Sequence, residues 1–173
     1  EVNKGSRSEL LARLFFVFFI GASIASIAKL LMLSTAVSVP GPWSAATGTV
    51  YVVFFLAALT LCGIIWHARS NSFVLLAISC SLFLSGSILF FIFPLGFGFD
   101  PYIHQSAASA IQESGIIEPK TPYYIGQYVL SVVLANLLAL PIQTVDRLWL
   151  PLLFATAFAP LLILILKNAF KGP

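Results

Sequence analysis

The feature that most constrains this chain is a set of long apolar runs, the first of which, residues 14–36, holds one charge, Lys29, and no acidic residue. Roughly 20 helical residues cross about 30 Å of hydrocarbon, and inside a bilayer only helices or closed barrels satisfy every backbone hydrogen bond. Further runs at residues 47–66, 73–95, 123–140 and 149–166 carry no charge at all. Together they predict an all-α fold, a polytopic transmembrane helical bundle with about five spans. The composition agrees, since 60% of residues are hydrophobic and 9% charged, against about 25% charged in soluble domains. The chain is therefore read as an integral membrane protein, one membrane domain over residues 1–173 and a segment of something longer. A signal peptide would have a shorter apolar core followed by a polar mature chain, and here more apolar runs follow.

Charge excludes one class of partner and suggests an orientation. The net charge is +3 and the basic residues are spread along the chain rather than clustered in a stripe, so no nucleic acid is expected; the lipid bilayer is the expected surroundings. With a cytoplasmic N-terminus, Lys4, Arg7, Arg13, Arg69 and Arg147 fall inside, while Lys120, Lys167 and Lys171 fall outside. The positive-inside rule then places the loop at residues 96–122 on the external side. Residues 1–13 read as a juxtamembrane tail.

Several polar residues interrupt the runs. Lys29 either snorkels to the headgroups or faces the bundle and pairs with an acidic group or lipid phosphate. Gly21, Ala22, Ala25 and Ser26 give the same run a small-residue face suited to close helix contact. Pro40-Gly41-Pro42 and Trp43 read as a tight turn, His67 as an interfacial polar group, and residues 141–148, with Asp146 and Arg147, as a short polar connection at the inner surface. Ser79, Ser81, Ser85 and Ser87 can bond their own helix or a neighbour. Cys62 and Cys80 have no metal-ligand spacing and read as small buried hydrophobes.

The longest polar stretch, residues 96–128, gathers Asp100, His104, Glu113, Glu118, Lys120 and Gln127. Asp100-Pro101 is a helix-start signature, because Asp caps free amides and Pro at the first helical position forfeits no hydrogen bond. Gly115 supplies a stop. Between them the spacing predicts a short external amphipathic helix lying on the membrane surface, with Ile103, Ala107, Ala110 and Ile111 on one face. Pro119 and Pro122 then keep the chain extended, and Tyr123, Tyr124 and Tyr128 form an aromatic belt where it returns to the membrane.

This pattern carries a resemblance. An apolar run, then Asp100-Pro101-Tyr102-x-His104, a short helix ending Glu113-x-Gly115-x-Ile117, and Pro119-x-x-Pro122-Tyr123-Tyr124-x-Gly126-Gln127 resembles the first large external loop of the membrane glycosyltransferases of the GT-C fold, the oligosaccharyltransferase-like, polyprenyl-phosphate-sugar-dependent enzymes. It covers roughly residues 93–166 and departs from the simplest pattern of that fold in having two spans before the one that leads into the loop. The resemblance implies a polyprenyl-phosphate sugar donor, an acceptor, a divalent metal such as Mn or Mg, and a catalytic base or metal ligand at Asp100. Among the loop residues only Asp100 is carried over by position.

The residue types suit such chemistry, since glycosyl transfer from a lipid phosphate needs a carboxylate to accept the acceptor's proton or to hold a metal. Each candidate also has a plainer role. Asp100 serves as base or metal ligand, or only as a helix cap. His104 orients Asp100 or donates to a phosphate, or is a solvated surface histidine. Lys120 pairs with a donor phosphate, or is interfacial charge. Gln127 bonds a sugar, or packs between helices; Glu113 and Glu118 read as a solvated face. The competing class is a non-catalytic membrane module or transporter-like bundle whose loop only packs or recruits a partner.

Overall fold

The computed structural model describes residues 2–34, 42–94, 100–116 and 124–169, and every regular element among them is helical. The chain runs α1 (Val2–Met32), a single turn α2 (Pro42–Ala45), α3 (Gly48–His67), α4 (Asn71–Gly86), α5 (Ile88–Ile92), α6 (Asp100–Ser114), α7 (Ile125–Leu138), α8 (Ile142–Leu153), a π turn (Phe154–Phe158) and α9 (Ala159–Ala169). Three stretches are long and apolar enough to cross a membrane: Ser6–Met32, Gly48–His67 and Ile142–Ile165. Asn71–Gly86 and Ile125–Leu138 are apolar but shorter.

Packing follows a seven-residue beat hidden inside the apolar runs. Buried positions seven residues apart are Ala12, Phe19 and Ser26 on α1, Val50, Ala57 and Ile64 on α3, and Ala77 and Leu84 on α4, with Leu30 buried one turn beyond Ser26. A seven-residue repeat returns a side chain to the same seam of two helices that cross at a shallow angle. Ala12, Ser26, Ala57 and Ala77 are small, which suits helix association in lipid, because close contact rather than water exclusion holds such helices together.

α1 and α3 run antiparallel. Ser8 Oγ donates to the His67 carbonyl at 2.9 Å, and at the other end Leu30 and Val50 share a cluster with Ile92 and Phe93. The tail expected at residues 1–13 is thus the first turns of α1, tied to the last turn of α3. Phe15 lies over α3 between Gly63 and His67: its ring stacks on His67 at 5.7 Å, and a Cβ on Gly63 would sit 2.7 Å from that ring.

Four expectations change. The run at residues 73–95 is not one helix: it breaks at Ser87, whose N–H reaches the Phe83 and Leu84 carbonyls in a tightened last turn. Ser85-Gly86-Ser87 has weak helix propensity, and beyond the break Ile92 of α5 packs in one cluster with Leu30 of α1. The connection expected at residues 141–148 is instead the start of α8, because Ile142, Val145 and Trp149 recur at helical spacing and all join one apolar cluster. Of the face expected on α6, Ala107 and Ile111 pack against that cluster beside the buried Ala108, whereas Ile103 and Ala110 are exposed. Of the two cysteines expected to be buried, Cys80 is half-buried against the cluster that holds Ala77 and Cys62 is exposed on α3.

Two prolines shape the last long helix. Pro160 has no N–H, and in an unbroken α-helix its ring would strike the Thr156 carbonyl; the π turn directly before it opens the ladder at that point. Pro151 faces α4, with its Cβ 3.6 Å from where a Gly86 Cβ would be. At the end of α7, Ala139 is left-handed, with φ 51, and the Leu140 N–H closes onto the Ala135 carbonyl at 3.0 Å. This is a Schellman-type cap without its usual glycine. Ala139→Gly is expected to stabilise the fold by about 1 kcal/mol, measured by chemical unfolding in mixed micelles.

Candidate functional site

The polar side chains brought together by the fold lie where α6, α7 and α8 meet. α6 begins at Asp100 and ends at Gly115, whose φ of +68 and N–H bond to the Ile111 carbonyl at 2.9 Å match the stop expected there. Two side-chain bonds link α6 to α7. His104 Nδ1 is 2.7 Å from the Tyr128 hydroxyl, and Gln112 Nε2 donates to Asn136 Oδ1 at 3.2 Å. Both pairs are 24 residues apart, so α6 and α7 run in the same direction, side by side.

α8 folds back along α7 from the turn at Ala139, and Ser131 Oγ donates to Asp146 Oδ1 at 3.5 Å. Tyr124, Tyr128, Ser131 and Ala135 therefore share one face of α7, directed at α6 and α8. The upper part of that face is polar and aromatic. Tyr124 meets the His104 ring edge-on at 4.7 Å, and Tyr128 lies 5.8 Å from it. Below, Tyr128 and Ala135 join Ala108, Ile142 and Val145 in the apolar cluster. Tyr128 and Ser131 are buried, so each hydroxyl needs a partner, and His104 and Asp146 supply them. On α8 the Arg147 Nε is buried with no partner among the described residues.

The residues singled out in the sequence fare differently. His104 is half-buried and bonded, not a solvated surface histidine. Asp100 opens α6 one turn before it, on the same side of the helix by its four-residue spacing. Gln127 is half-buried on α7, immediately before Tyr128. Glu113 is exposed, as a solvated face requires. Lys120 and Glu118 lie outside the described residues.

Tyr128, Ser131 and Asp146 were not expected here. The tyrosines were read as an aromatic belt and Asp146 as part of a connection, yet the i, i+4 spacing of Tyr124 and Tyr128 is the signal that both face one neighbour.

Among the described residues no three His, Cys, Asp or Glu side chains converge, and the Nδ1 of His104 is engaged by Tyr128. The described residues do not by themselves make a metal site. Comparison with family profiles, with characterised proteins and with solved structures found no match. Among the described residues, the fold is all-helical, with three helices long and apolar enough to cross a membrane.

Proposed function

We propose that this chain is membrane-embedded machinery of a glycosyltransferase that takes its sugar from a polyprenyl-phosphate donor, with the chemistry at the start of α6. The observation that carries the reading is the Asp100-Pro101-Tyr102-x-His104 motif at the head of a helix fastened to α7 by the His104–Tyr128 bond. A catalytic carboxylate must be held in register with its substrate to within a fraction of an ångström. A helix tied along two neighbours holds its first residue better than a free loop does.

In the transfer, the acceptor heteroatom bonds to the anomeric carbon of the sugar, the bond from that carbon to the donor phosphate oxygen breaks, and the phosphate leaves with the electron pair. Asp100 takes the acceptor's proton. His104 and Lys120 stabilise the charge that develops on the leaving phosphate, and Gln127 bonds a sugar hydroxyl. This reading puts the N-terminus in the cytoplasm and the head of α6 toward the external side, which Arg7, Arg13 and Arg69 support by the positive-inside rule. These three are exposed and gathered at the end of the α1–α3 pair where Ser8 meets His67.

The test is binding of a radiolabelled polyprenyl-phosphate sugar to the full-length protein in lipid nanodiscs, with and without Mn²⁺. Saturable binding that competes with unlabelled polyprenyl phosphate is expected. Retention no greater than that of empty nanodiscs would return the protein to the class of non-catalytic membrane modules.

A further inference from the structure

The bond between α6 and α7 has a chemical direction. A phenol is a much stronger acid than a neutral imidazole N–H, and an unprotonated imidazole nitrogen is a much stronger base than a phenol oxygen. At 2.7 Å between His104 Nδ1 and the Tyr128 hydroxyl, the favoured arrangement has the tyrosine donating and Nδ1 accepting. The hydrogen of the neutral ring then resides on Nε2. Tyr128 is buried, which keeps water from competing for its hydroxyl, and the edge-on ring of Tyr124 at 4.7 Å restricts rotation of the imidazole.

We propose that Tyr128 is a positioning residue, which locks His104 in the Nε2–H tautomer so that a neutral imidazole presents a hydrogen-bond donor to an anionic phosphoryl oxygen at the head of α6. The inference rests on the glycosyltransferase reading for the identity of that anion. The bond and the tautomer do not depend on it. Asp146 accepts from Ser131 on the α8 side, and the hydrogen bond that the buried tyrosine hydroxyl makes is the one to His104. Of the ionisable groups on the elements packed here, Asp100 opens α6 one turn before His104, Tyr124 meets its ring edge-on, Asp146, bonded to Ser131, and Arg147 are on α8, and Glu113 is exposed at the far end of α6.

This chain has two histidines, His67 and His104; in the ¹⁵N-histidine-labelled full-length protein in nanodiscs, the ring spin system that disappears in His104→Gln is that of His104, whatever other histidines the protein carries. For the wild type we expect one protonated nitrogen, Nε2, and one hydrogen-bonded unprotonated nitrogen, Nδ1, at His104. In Tyr128→Phe, which keeps the ring and its packing, the Nδ1 resonance should move and the two tautomers should mix. Added polyprenyl monophosphate should shift Nε2 in the wild type and shift it less in the variant, while inorganic phosphate at the same concentration separates a lipid-linked ligand from a free anion. In transfer assays Tyr128→Phe should lower kcat about tenfold with KM little changed, the signature of lost transition-state contact.

An Nδ1–H tautomer in the wild type, or a His104 spectrum identical in Tyr128→Phe, would overturn the proposal. So would a changed tautomer with unchanged kcat. Wild-type protein inactive with every polyprenyl donor would remove the function proposed above, and the nitrogen spectra with and without polyprenyl monophosphate would then decide the positioning role alone.

Discussion

Asp100→Asn is expected to abolish sugar transfer while leaving the protein inserted and helical. Asparagine is nearly isosteric and still caps the first turn of a helix, so α6, which starts at this residue, should remain in place. What the substitution removes is basicity. General-base catalysis contributes about 10²–10⁴-fold, and a loss of at least the lower figure in kcat, with unchanged circular dichroism and unchanged donor binding, is the outcome that fits a catalytic carboxylate. Retained activity would make Asp100 a helix cap and nothing more. A loss of donor binding as large as the loss of rate would instead point to a metal ligand, a role the same experiment reads through its dependence on added Mn²⁺.

The second large effect is structural. Gly63→Val puts a branched side chain where even a single Cβ would be 2.7 Å from the Phe15 ring. That ring cannot simply slide along α3, because it is stacked on His67 one turn further on and Phe16, next to it, packs against Phe73 at 4.6 Å. Overpacking of a well-filled contact costs about 1–3 kcal/mol, and here it falls on the seam shared by α1 and α3. Chemical unfolding in mixed micelles should show that loss, and hydrogen exchange should place it in α1 and α3 while α6 to α8 stay protected. Gly21→Val is the control: nothing lies within 4 Å of a Cβ there, and its effect should be limited to helix propensity.

The parts of the fold that were legible in the sequence are those set by local chemistry. Asp100-Pro101 and Gly115 delimit α6 because capping and left-handed glycine are properties of a few consecutive residues. The apolar runs announce helices because a bilayer allows little else. Interior detail was harder to see. Within a run such as residues 47–66, where nearly every side chain is apolar, nothing local distinguishes Ala57, which is buried, from Ala58, which is exposed; the partner helix makes that choice. The start of α8 could have been found, since Ile142, Val145 and Trp149 keep helical spacing through Asp146 and Arg147. The four polar residues hid it. In the candidate site, His104 was visible by type but Tyr128 was not, because their bond joins positions 24 apart and no rule of short spacing links them.

The clusters of the core follow the order of the chain. The first, around Phe19, Ala57, Ile64 and Ala77, is complete once α4 has been made; the one around Ala108, Tyr128, Ala135, Ile142 and Val145 draws only on α6 to α8. A nascent chain leaving the ribosome can therefore assemble its N-terminal hairpin and α4 before the segment holding the candidate site has been synthesised. The later helices then dock on a finished surface, meeting it where Pro151 touches α4 at Gly86. Biogenesis would in this way separate two tasks: the first helices establish an anchored platform, and the helices that hold the candidate site are added to it later.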